Sequence, residues 1–190
     1  MAPQDLPKYT VPSLTPEDGA KVAAILQERL HALNDLALTL KHIHWNVVGP
    51  HFIAVHEMID PQVDAVRAMV DAVAERIATL GVAPVGTPGA LVRARTWDDY
   101  SIGRASTTEH LGALDEVYVG VITAHRQAAA DTEELDTVTN DLLVGHLHEL
   151  ELFHWFVRAH LESSGGALST AGESTEKGAA RAAGEAAAAR

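Results

Sequence analysis

An unbroken helical period runs for roughly 30 residues from Thr15, and no other feature of the chain restricts its fold as much. Thr15, Pro16, Glu17 and Asp18 form a strong helix start: a hydroxyl cap, proline at the first position and acids where the helix dipole favours them. Val22, Ile25, Leu26, Leu30, Leu33, Leu36, Ala37 and Leu40 then recur at spacings of three and four, with no breaker before Gly49 and Pro50. A helix of roughly 30 residues is ~45 Å long, and its apolar stripe needs partners of similar length.

Three further stretches supply them. A second helix is expected from about Phe52 to Leu80, stopped by Gly81, with Pro61 either bending it or starting it behind an Asp60 cap. A third begins near Ser106 or Thr107 and carries Leu111, Leu114, Tyr118, Val121 and Ile122. A fourth runs from about Leu135 to Ser163 and stops at Gly165 and Gly166. Residues 81–105 are turn-rich and read as a long crossover carrying one short helix; no strand alternation or internal repeat stands out. The expected class is all-α, a ferritin-like four-helix bundle with its long connection between the second and third helices. The expected divisions are an N-terminal tail over 1–14, the bundle over 15–165, and a flexible Ala-, Gly-, Ser- and Glu-rich tail over 166–190. Apolar residues spill beyond one stripe on the first two helices, which points to oligomerisation.

Composition removes several kinds of chemistry. With no cysteine among 190 residues, disulfides, zinc–thiolate sites and thiol nucleophiles are excluded. Twenty-six acidic residues against 14 basic, net −12, suit the attraction of cations rather than of phosphates. No membrane span or signal peptide is visible, so a cytoplasmic location is expected.

The segment HWNVVGPHFIAVHEMID, His44 to Asp60, crowds imidazoles and carboxylates where a helical hairpin turns. On the second helix His56 with Asp60, and Asp71 with Glu75, are pairs at i, i+4. Asp60 and Asp71 are eleven residues apart, which returns to within about 20° of the same stripe. The two pairs are ~16 Å apart along the helix, too far to share an ion in one chain. Positions 56 and 75 have the same midpoint as 60 and 71, between residues 65 and 66. Two copies of this helix, antiparallel about a two-fold axis at that point, would bring His56 to Glu75 and Asp60 to Asp71 in two equivalent sites. His44 could add a second imidazole, and the thiolate-free set suits iron, manganese or zinc. Taken residue by residue, solvated or capping side chains account for the same pattern, and periodicity leaves both readings open.

LTLKHIHWNVVGPHFIAVHEMID followed by DAVAERIATLG resembles the Dps family, the DNA-binding proteins from starved cells or mini-ferritins, over about residues 15–165. The intervals from HWN to the histidine of VHEMID, and on to D-x-x-x-E before RI, are those of the family. The resemblance implies a ferroxidase centre shared across a two-fold axis, with His44, His56 and Asp60 from one subunit, Asp71 and Glu75 from its mate, and Trp45 close by. It further implies a homododecameric shell built on two-fold dimers. Fe2+ would be oxidised to Fe3+ there, preferably by hydrogen peroxide and otherwise by oxygen, and ferric oxide mineral stored inside, protecting cell and DNA from oxidative damage.

Other signals carry less. Glu151 and His154 have the E-x-x-H spacing of internal di-iron bundles, but helix two offers no matching carboxylate. His146, His148 and Glu149 read as a polar face or subunit contact. Acids between Ala130 and Asp141 fit a solvated helix start, with Asp136 and Asp141 the candidates for a three-fold pore of the kind the resemblance implies. The alternative function, a nucleoid-compacting DNA-binding protein with a secondary iron centre, would place the chain at the nucleoid. It meets a charge-neutral tail in which Lys177, Arg181 and Arg190 balance Glu173, Glu176 and Glu185, so DNA binding is expected to be weak.

Overall fold

The computed structural model describes residues 6–189. Four long helices form the bundle: α1 (Pro16–Asn46), α2 (Phe52–Thr79), α4 (Thr107–Glu133) and α5 (Thr137–Leu161). The short α3 (Pro88–Ala94) lies in the crossover and α6 (Glu176–Ala188) follows the bundle. Thr15 caps α1 by accepting from the Asp18 amide, and Ser106 with Glu109 forms a reciprocal capping box on α4. On α2 the inner stripe is Val55, Ile59, Val63, Val66, Met69, Val73 and Ile77, all buried, again at spacings of three and four. Pro61 does not break α2. It sits on the exposed face, where water can serve the Glu57 carbonyl that proline leaves without a donor.

α1 packs on α2 and α4 on α5, and the two hairpins share one apolar core. A two-residue parallel pairing absent from the expectations, β1 (Val47–Val48) with β2 (Ala105–Ser106), ties the exit of α1 to the entry of α4. It fixes the hairpin loop that leads into α2. At the far end of α2, Gly81 has φ +86°, and a Cβ there would stand 2.2 Å from the Tyr9 carbonyl oxygen. Only glycine lets residues 7–9 cross so closely. Val11 and Leu14 pack against the core. The expected N-terminal tail is therefore anchored over that part, while residues 1–5 lie outside the described residues.

The flexible tail expected over 166–190 is corrected by the structure over the described residues 166–189. Thr175 caps α6, whose Ala179, Ala180 and Ala183 are buried against α4. A Cβ on Gly112 of α4 would lie 2.5 Å from the Ala179 carbonyl oxygen and 2.8 Å from the Ala183 Cβ. Small residues on both helices allow near backbone contact, so a sequence poor in large apolar side chains still docks. Gly112→Leu is expected to expel α6 while leaving α1, α2 and α5 folded. Limited proteolysis should then cut near residue 175 much faster than in the wild type, and unchanged cleavage would refute the docking.

Candidate metal centre

The end of α1 and the start of α2 bring His44, His56 and Asp60 together. The imidazoles of His44 and His56 stack with ring centres 3.6 Å apart. Each Nδ1 lies against the other residue's backbone carbonyl, His44 to His56 at 3.0 Å and His56 to His44 at 2.9 Å. A carbonyl only accepts, so each Nδ1 carries the hydrogen and each Nε2 keeps a lone pair. This is how proteins orient imidazole ligands. Asp60 Oδ1 lies 3.3 Å from His44 Nδ1 and 2.8 Å from Lys41 Nζ. The hydrogen bond from Lys41 holds the Asp60 carboxyl below its usual range.

Asp71 and Glu75 stand exposed further along α2, so the structure brings together three of the five expected ligands and leaves two apart. Among the described residues of one chain, no group of three or more His, Asp or Glu side chains is arranged to hold a metal ion. Trp45, beside the histidines, is 72 % exposed, and Leu38, two turns earlier on α1, is 63 % exposed. Lys41 sits 5.9 Å over the Trp45 ring. Sequence reasoning passed over Lys41, although its place one turn before His44 puts it on the same face.

The bundle interior holds no rival centre among the described residues. Where a di-iron bundle would need a carboxylate, α2 presents Gln62, 1 % exposed, which accepts a hydrogen bond from Tyr118 at 2.7 Å. Glu151 pairs with Arg126 at the surface, whereas His154 turns inward to Asp115, with Nε2 to Oδ1 at 2.6 Å. Asp115 also accepts from Thr170 at 2.7 Å and from Arg158 Nε at 3.1 Å. The E-x-x-H spacing therefore serves two separate structural contacts. His146, expected on a polar face or at a subunit contact, is buried within the chain with its ring centre 5.7 Å from that of His125. Of the acids at the start of α5, Asp136 is tied to Arg76 of α2 at 2.6 Å and to Thr139, while Asp141 is exposed. An acid neutralised by a guanidinium is a poor lure for cations, which leaves Asp141 the freer of the two.

A four-helix bundle with a long second connection defines a ferritin-like fold, here with imidazole and carboxylate side chains gathered at one hairpin, and the family description "Ferritin-like domain" matches residues 23–164. A "DNA protection during starvation protein" from Mycolicibacterium smegmatis is 60% identical over 172 residues, covering 90% of this chain and 94% of the relative. Two solved structures are also similar. One, the Mycobacterium smegmatis Dps, has a TM-score of 0.88 at 60% identity and covers 90% of this chain and 98% of its own. The other, DpsA14 from Streptomyces coelicolor, has a TM-score of 0.85 at 65% identity and covers 86% and 97%. The chain belongs to the Dps family of ferritin-like proteins.

Proposed function

We propose that the protein stores and detoxifies iron, oxidising Fe2+ at a ferroxidase centre shared between two subunits and retaining ferric mineral in a dodecameric shell. The observation that carries this reading is the half-site. His44, His56 and Asp60 converge in one chain with each imidazole Nδ1 against a carbonyl, and an antiparallel copy of α2 would bring Asp71 and Glu75 to them.

The face of α2 supports that arrangement. A two-fold axis between residues 65 and 66 pairs position 64 with 67, which are Asp64 and Arg67. Both are exposed. Two copies would therefore exchange two opposite-charge contacts, and Ala65 and Ala68 beside the axis would let the helices approach closely. The exposed Leu38, Trp45 and Ile53 supply apolar surface next to the half-site. The donor set of imidazole and carboxylate, without thiolate, fits ferrous and ferric iron.

The chemistry follows from pairing. Two Fe2+ each give one electron to one hydrogen peroxide, whose O–O bond breaks; with two protons the products are two waters and two Fe3+. Delivering both electrons together avoids hydroxyl radical. Carboxylates stabilise the ferric product, and a net charge of −12 per chain draws the incoming cation. DNA protection, the activity in the relative's name, needs no direct DNA contact on this reading. With Lys177 and Arg181 on a docked helix and no excess positive charge in the tail, we expect binding to vanish at moderate salt.

The test is anaerobic loading with Fe2+ followed by hydrogen peroxide. The expected result is consumption of about two Fe2+ per peroxide and a particle of twelve chains that gains mass as iron is added. Hydroxyl radical trapped at the level seen without protein, or a particle that takes up no iron, would overturn the proposal.

A further inference from the structure

We propose that Lys41 is a resident counter-ion of this centre, a positioning residue that occupies the Asp60 carboxylate until a divalent cation displaces it and so sets how tightly the cation is held. The inference rests on the two-fold iron site proposed above. Its ground is a shared atom. Asp60 Oδ1, the oxygen 3.3 Å from His44 Nδ1, is also the one that receives the Lys41 ammonium at 2.8 Å. The Lys41 side chain is mostly covered, with 21% of it exposed. An ammonium has three donors and no lone pair, so it cannot join a metal's ligands while charged.

A cation that binds the imidazole Nε2 atoms and the Asp60 carboxylate therefore meets a positive charge already seated on that carboxylate. Either Lys41 leaves, giving up its ion pair, or it stays and repels the newcomer across a few ångströms. Both lower the affinity for the metal. The Trp45 ring, 5.9 Å from Nζ, is a place to which the released ammonium can turn without entering bulk water. Before loading, Lys41 holds the carboxylate in place. A centre that must pass its product on to a mineral gains from binding more weakly than its ligands alone would dictate.

Anaerobic titration with Co2+, followed by its visible absorption, tests this without turnover. Lys41→Gln and Lys41→Met are expected to bind Co2+ about tenfold more tightly than wild type, because one positive charge beside the ion is gone. Lys41→Arg, which keeps the charge, is expected to bind as wild type or more weakly, and the gain in Lys41→Gln should shrink as salt is raised. Two neutral variants give a second chance should one fail to assemble, and thermal melting checks their fold. Affinity unchanged or reduced in both neutral variants overturns the role of Lys41 while leaving the site intact. Co2+ binding unchanged in Asp60→Asn would instead overturn the site itself.

Discussion

Asp60→Ala and Glu75→Ala are each expected to lose peroxide-dependent iron oxidation by about a hundredfold, and a mixture of the two to recover part of it. In a two-fold dimer made of one chain of each, one centre lacks both ligands and the other lacks neither. Random pairing makes about half the dimers mixed, each with one intact centre, so co-refolded protein should show about a quarter of the wild-type rate. A centre built within one chain gives no such rescue. Stopped-flow oxidation of the separate and co-refolded variants decides the matter, and a mixture no faster than its parts would sink the shared site.

The second large effect is on stability. Asp115 is 3 % exposed and accepts hydrogen bonds from His154, Thr170 and Arg158, joining α4, α5 and the segment that leads to α6. Asp115→Ala would leave these donors without their acceptor, at a cost of about 3–5 kcal/mol. For a chain of this size that lowers the melting temperature by roughly 10 °C. Burial raises the Asp115 carboxyl, but the hydrogen bonds from His154, Thr170 and Arg158 outweigh it and hold it down to about 2. A carboxyl depressed in the fold stabilises fully above the unfolded value near 3.8, and loses that contribution as pH falls towards 2. Burial also pushes the His125 imidazole down to about 3 and His146 to about 4. The unfolded chain takes up protons at both below about 6.5, so they too weaken the fold in acid, beginning at higher pH. Wild-type stability should fall in two stages, below about 6.5 and again below 3.8, and in Asp115→Ala the second should be smaller, since Glu109 and Asp136 are also held below their usual range. A variant that melts like wild type at pH 7 would refute the role given to Asp115.

How much of this was legible in the chain depends on the range of the forces involved. Helical period, Thr15 and Ser106 caps, Gly81 as a stop and the convergence of His44 with His56 across a short loop are local, so residue spacing carries them. The matched midpoints on α2 are local as well, because one rigid helix fixes where its own side chains point. That is why a site completed only by a second copy can be suggested by a single sequence.

What spacing does not carry is the choice among partners. Glu151 and His154 share a ligand-like interval, yet packing turned one towards Arg126 and the other towards Asp115, 39 positions earlier. Lys41 reached Asp60 across 19 positions because α1 and α2 lie side by side. The alanines of α6 looked like a loose tail until Gly112 left a place for them. A buried polar group must find a partner and a small side chain must find a close surface, and both requirements are settled by the three-dimensional arrangement of the helices. The sequence determined which helices form and which residues offer lone pairs; the tertiary structure decided which of those residues are tied to one another and which stay exposed.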